Sequence, residues 1–286
     1  MEKEYSLWAD AFRRLSKNKL ALMSLIVVFI YALVAILVTL GLLANDWSVE
    51  VGPANVAPAA DYLFGTDFLG RDVLKKVIYG TQVAMTVGFF SCVIAIPIGV
   101  TLGAIAGYFG GFVDEVIVWF YTTFASIPYL MMLIAISFVM ERGLKTMCIA
   151  LGVTSWVGLC RLVRGEVIKH RNRDYVQAVT ALGGGHAKKL FRHILPNIFH
   201  LVIINASLRF QSAIKSEVIL SYLGLGVQNV PSWGKMIDDA KQDLMQGQWW
   251  QLAGATFAMF FIVLALNILG DALRDALDPK LKGQES

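Results

Sequence analysis

Long apolar runs separated by short polar stretches set the plan of the chain. Leu20 to Leu43 holds about 24 residues without a charge, and a bilayer core takes roughly 20 helical residues to cross. Further apolar blocks run from Val83 to Tyr108, Val116 to Met140, Thr146 to Cys160, Ile194 to Leu225 and Leu252 to Leu269. One helix per block predicts an all-α, polytopic membrane protein with about six transmembrane helices. In the second block Ala95, Gly99, Gly103 and Gly107 recur at every fourth position, a stripe small enough to let another helix come close. Pro97 predicts a kink in the same helix. Before the first block, Leu7, Trp8, Phe12 and Leu15 repeat at helical spacing, with Arg13, Arg14 and Lys17 on other faces. That reads either as an amphipathic helix on the membrane surface or as a cationic stop. Trp249 and Trp250 precede the sixth block, where an interfacial aromatic belt is expected.

Composition removes the soluble alternative. The chain is 57% hydrophobic and 16% charged, where a soluble domain holds roughly 45–50% apolar and 25% charged residues. The first block exceeds the roughly 7–15 apolar residues of a secretion-signal core, so it reads as a retained span. Most of the 25 Lys and Arg fall before the first block, between the fourth and fifth, and after the sixth. Basic loops stay inside, so both termini are expected to be cytoplasmic. The net charge of +4 then follows from topology and calls for no nucleic acid. Cys92, Cys148 and Cys160 lie in or beside apolar blocks without metal-ligand spacing and read as packing thiols. The four histidines, His170, His186, His193 and His200, fall in or beside one loop and lack the spacing of a metal site.

That loop, from about Arg161 to Leu195, is the most informative segment. Tyr175 to Leu182 favours a helix, Gly183, Gly184 and Gly185 break it, and a basic stretch leads to His193-Ile194-Leu195-Pro196. A helix, a flexible break and a second helix predict a compact knob outside the membrane, suited to docking a partner. Gln177-Ala178-Val179, three residues, Gly183 and then Leu195-Pro196 resemble the EAA loop of ABC importer permeases. Phe64 to Gly80, Gly107 to Asp114, Ser155 to Glu166, Leu220 to Gly234 and Leu269 to Pro279 are similar to the C-type permeases of dipeptide and oligopeptide (and nickel) importers. The stretch from Trp8 to Leu25 resembles the N-terminal domain of that group. Where the family usually carries Arg and Asp in the third span, this chain has Trp119 and Thr122.

The resemblance implies the type I ABC importer permease fold in the bacterial inner membrane. Its parts would be an N-terminal helix, first span and outer loop over 1–60, and a five-helix permease domain over 80–272. The coupling loop would cover 166–196, and a cytoplasmic tail 273–286. Tyr175, Gln177, Ala178, Val179, Gly183, Lys188, Leu195 and Pro196 would couple to the ATPases. The implied partners are a second permease subunit, two ATPase subunits, an extracytoplasmic peptide-binding protein, a peptide substrate and lipid. The chain has no Gly-x4-Gly-Lys-Ser/Thr loop, so ATP and Mg are expected on the partner ATPases, with no cofactor and no enzymatic site here. Arg209, Lys215 and Glu217 stand inside the fifth block, where a charge is costly and marks function by default. Lys215 and Glu217, with Arg209, are expected beside the translocation path, able to meet the termini of a zwitterionic peptide, or else at a subunit interface. Nickel chelates or a peptide-like antibiotic are alternative cargoes. A proton-coupled symporter using Glu217 is the reading from a different class.

Overall fold

Asn18 opens the first membrane helix. Its side-chain oxygen accepts hydrogen bonds from the Leu20 amide at 3.0 Å and the Ala21 amide at 3.2 Å, satisfying donors that the helix itself leaves orphaned. In the computed structural model, which describes residues 13–277, the chain then forms α1 (Lys19–Thr39), α2 (Val73–Phe109), α3 (Gly111–Ser126), α4 (Tyr129–Val139), α5 (Leu144–Thr154) and α6 (Val157–Arg171). There follow α7 (Asp174–Ala181), a π-helical turn (Lys188–Ile194), α8 (Leu195–Tyr222), α9 (Trp233–Met245) and α10 (Trp250–Leu277). Leu7, Trp8 and Phe12 of the expected surface helix, and the tail beyond 277, lie outside the described residues.

Helix α2 is the axis of the bundle. Its 37 residues extend about 55 Å at 1.5 Å per residue, well beyond the roughly 30 Å of a hydrocarbon core. Asp72 caps its start by accepting from the Leu74 amide, and Pro97 sits inside an unbroken helix. The small-residue stripe meets α6. A methyl group on Gly99, Gly103 or Gly107 would stand 2.9, 2.5 or 2.6 Å from the carbonyl oxygen of Trp156, Cys160 or Arg164. Three successive turns of α6 therefore lie directly on three glycines of α2.

Helix α1 lies on the outside. Leu22, Met23, Leu25, Phe29 and Leu33 are exposed, an apolar surface that water would penalise and lipid would not. Its inner face is anchored by the Tyr31 hydroxyl, which donates to the Ala258 carbonyl at 2.8 Å, and whose ring meets Trp233 edge-on. Tyr31→Phe is expected to cost about 0.5–1.5 kcal/mol, the net worth of one hydrogen bond. A detergent-solubilised variant should melt a few degrees lower in a fluorescence-detected thermal ramp; an unchanged midpoint would mean that packing alone holds α1.

Two blocks are not single straight helices. The third is α3 and α4, bent by 84° at Ile127, which is extended (φ −79°, ψ 127°) because Pro128 disfavours a helical residue before it. The fourth is α5 and α6, interrupted at Ser155 and Trp156 yet long and apolar enough together to count as one span. Among the described residues four stretches can cross a bilayer by length and apolarity, and the bent pair makes a fifth. The block from Ile194 is α8, whose 28 residues are long enough, but Arg209, Lys215 and Glu217 reduce its apolarity.

The ends of the bundle differ. Asp46, just past α1, pairs with Lys75 at the start of α2 at 2.5 Å, and the Trp250 indole at the start of α10 donates to the Thr66 carbonyl at 2.9 Å. The start of α1 and the end of α10 therefore share the opposite end with α7. Helix α9, which block counting overlooks, closes the first end. It buries Trp233, Met236 and Ala240 and pairs Lys235 with Asp239 at 2.8 Å and Lys241 with Asp238 at 2.8 Å on its outer face.

Candidate functional site

The knob is built by a helix stop. Leu182 ends α7, the Gly183 amide donates to Thr180 O at 3.0 Å, and the Gly184 amide donates to Val179 O at 2.8 Å. With Gly183 at φ +75° this is the Schellman arrangement, whose left-handed position glycine occupies without a Cβ penalty. The three glycines thus make a hydrogen-bonded stop where the sequence suggests a slack linker. The π-helical turn then runs into α8, placing its wide turn just before Pro196, which has no amide to bond back into the preceding turn.

The knob has a buried underside and a bare top. Val176, Leu190 and Ile194 pack with Val163, Val167, Ile198 and Val202 from α6 and α8. Tyr175 is half-buried, and its hydroxyl meets His170 Nδ1 at 2.8 Å; burial holds that hydroxyl above its usual pKa. Lys189 Nζ donates to Thr180 Oγ1 at 3.2 Å, tying the π turn to α7. Of the expected coupling residues, Gln177, Ala178, Gly183, Lys188 and Pro196 are exposed, while Tyr175, Val179 and Leu195 are half-buried. Gln177 Nε2 donates to the Asn172 carbonyl at 3.2 Å. Two residues the sequence reading passed over dominate the top: Leu182 is 87% exposed and Phe191 66% exposed. The signal available for Phe191 was a large apolar side chain in a basic stretch, and for Leu182 one standing directly before the three glycines.

The charges of α8 do not act as one group. Residues two apart on a helix point about 200° from each other. Lys215 is accordingly exposed, whereas Glu217 is 0% exposed and accepts a 2.6 Å hydrogen bond from the Ser221 hydroxyl. Within this chain Glu217 and Lys215 therefore do not share a face of α8. Arg209 keeps a different place. It borders a cavity of about 220 Å³ lined by Tyr129, Leu151, Ser155, Asn205, Leu208, Ser212 and Ala213. Its Nε is buried with no hydrogen-bond partner among the described residues. A charge at membrane depth costs about 2.5–3.5 kcal/mol even on lenient scales, and half-buried Arg209 makes no ion pair with an acidic side chain among the described residues. Asn205 and Ser212 stand four residues before it and three after, on the same helix face, a pattern readable in the sequence. Trp119 and Thr122 are exposed on α3, alongside exposed Phe112 and Val116.

At the α9 end, the stretch from Phe64 to Asp72 is a structural device. Asp67 Oδ1 accepts from the Leu69 and Arg71 amides at 2.9 Å each, and its Oδ2 takes Lys76 Nζ at 2.8 Å. Lys76 also donates to Gln251 Oε1 at 2.8 Å, and Gln251 Nε2 donates to the Met236 carbonyl at 3.3 Å. One buried lysine so connects the loop, α2, α9 and α10. Beside it open two cavities of about 470 and 360 Å³, which share Lys235 and Asp239.

Comparison with known proteins adds to this geometry. Residues 99–283 match the family of binding-protein-dependent transport system inner membrane components. Residues 6–54 match the N-terminal TM domain of oligopeptide transport permease C. The dipeptide transport system permease protein DppC of Bacillus subtilis is 39% identical over 277 residues, covering 96% of this chain and 86% of that protein. The oligopeptide transport system permease protein OppC of Bacillus subtilis is 36% identical over 282 residues, covering 98% and 92%. The glutathione transport system permease protein GsiD of Pectobacterium atrosepticum is 35% identical over 229 residues, covering 80% and 76%. A chain of the MetNI methionine ABC transporter, solved in inward-facing conformations, aligns with a TM-score of 0.54 at 17% identity, over 71% of this chain and 94% of that one. At that identity the likeness is one of fold.

Proposed function

The chain belongs to the family of binding-protein-dependent transport system inner membrane components, and on that footing we propose that it is one of two permease subunits of an ATP-driven importer of small peptides. The observation that carries the substrate class is near-full-length similarity to dipeptide and oligopeptide permeases. The knob is the element that couples to the ATPases. Its underside is fixed to α6 and α8 through Val176, Leu190 and Ile194, so a push on its top moves those helices as a unit. Leu182 and Phe191 supply apolar anchors, the kind of contact that dominates interfaces when seated in a partner's pocket. ATP and Mg are held by two ATPase subunits. The second permease covers an apolar face, for which the exposed side of α3 with Trp119 is suited. With the knob in the cytoplasm, the described start of α1 and the end of α10 lie on the cytoplasmic side. The α9 end and its two cavities then meet the extracytoplasmic binding protein.

Co-purification of the tagged chain with the products of neighbouring genes tests this reading. Two ATPase subunits and a second permease should elute with the wild type. Leu182→Asp combined with Phe191→Asp should release the ATPases and retain the second permease. Gly183→Pro should act likewise, because proline cannot adopt φ +75°. A chain that purifies alone and still takes up peptide would sink the proposal.

A further inference from the structure

The cavity beside Arg209 lies where two membrane segments lose helical continuity. Tyr129, the first residue of α4 after the 84° bend, lines it, and so does Ser155, which precedes α6. Neither helix start is capped by a side chain: Pro128 and Trp156 hold the cap positions without a side-chain hydrogen bond. The first amides of a helix lack intrahelical partners, and that end of the dipole favours negative charge. Irregular backbone at membrane depth persists where it lines a protein-enclosed cavity. The guanidinium reaches the start of α6, where a methyl on Gly158 would stand 3.0 Å from Arg209 Nη2. Asn205 and Ser212 flank it on its own helix face.

What this constellation lacks is an anion. No Asp or Glu lines the cavity, and Arg209 Nε is unpartnered among the described residues. Glu217 is turned away and held by Ser221, and exposed Lys215 adds no negative charge. We propose that the missing anion is the C-terminal carboxylate of the transported peptide, held by Arg209 as the peptide passes. The proposal rests on the peptide-importer reading given above. A guanidinium presents paired donors in the geometry of a carboxylate, and Tyr129, whose hydroxyl donates to Ser216 Oγ at 3.4 Å, and Ser155 line the same cavity. The size agrees. At about 220 Å³ the cavity is smaller than the roughly 300–1,000 Å³ that encloses a whole small ligand. It takes one end of a peptide and leaves the remainder to the side that the second permease completes.

The test uses the complete transporter (both permeases, the ATPases and the binding protein) in proteoliposomes. The probes are a radiolabelled dipeptide and its C-terminal amide, chosen as a pair that both load the binding protein. The ratio of acid uptake to amide uptake is compared among the wild type, Arg209→Lys and Arg209→Gln. The ratio should fall at least tenfold in Arg209→Gln and be largely kept in Arg209→Lys. Equal loss of both probes would make Arg209 a structural residue and overturn the proposal. Loss of the second permease from Arg209→Gln would do the same, by assigning the guanidinium to an interface ion pair; so would an unchanged ratio. A wild-type complex that imports neither probe would instead overturn the peptide-importer reading itself.

Discussion

Leucine in place of Gly103 is expected to leave little or no folded protein, while alanine at the same position yields a folded but weakened one. A methyl at Gly103 would stand 2.5 Å from the Cys160 carbonyl oxygen and 3.0 Å from Val163 Cβ. The first contact is with backbone, which cannot rotate away as a side chain can, so α2 and α6 must separate. Separation at Gly103 also opens the contacts at Gly99 and Gly107, because the three share one stripe. Overpacking costs about 1–3 kcal/mol and occasionally more, so Gly103→Ala should lower the melting temperature by about 2–12 °C, at 2–4 °C per kcal/mol for a chain of this size. Gly103→Leu adds a branched side chain to the same clash and should abolish the monodisperse peak in detergent. The matched control is Gly165→Ala on α6, where a methyl meets nothing within 4 Å. Wild-type yield and melting temperature for Gly103→Leu would mean that the two helices do not approach as described.

That stripe was legible in the sequence because its signal is local: four small residues on one face announce a close neighbour, although not which neighbour. The helix, stop and second helix of the knob were legible for the same reason, through Gly183 and Pro196. What the sequence hid falls into two physical kinds. Hydropathy is blind to direction, so the block from Val116 to Met140 reads as one span although Pro128 folds it into two helices. For the same reason α9, with only a few apolar positions between Asp and Lys, reads as a loop. Pairings across the chain were hidden as well. Lys76 meets Gln251, 175 positions away, and no spacing rule connects them. Helical geometry alone places Lys215 and Glu217 on opposite faces of α8. The same geometry sets Asn205, Arg209 and Ser212 together, and that face borders the cavity.

Lys76→Met is expected to destabilise the chain by about 3–5 kcal/mol, the usual cost of breaking a buried ion pair. The side chains of Lys76 and Asp67 are 6% and 1% exposed, so neither loses its partner to water without consequence. Removing the ammonium leaves the Asp67 carboxylate with only the Leu69 and Arg71 amides, and leaves Gln251 Oε1 without its donor. Asp67→Asn breaks the pair from the other side: its Oδ1 can still hold the two loop amides, but its NH₂ faces a charged donor. The two changes together remove both charges, and the double variant should therefore lose less stability than the sum of the two single ones. A coupling of about 2–3 kcal/mol, at the upper end for neighbouring residues, is the expected result of a thermal double-mutant cycle in detergent. Simple additivity would show that the pair contributes nothing beyond its two side chains. A full coupling would locate the rigidity of the α9 end in one lysine that ties the loop to α2, α9 and α10, so that a load on that end moves all four together.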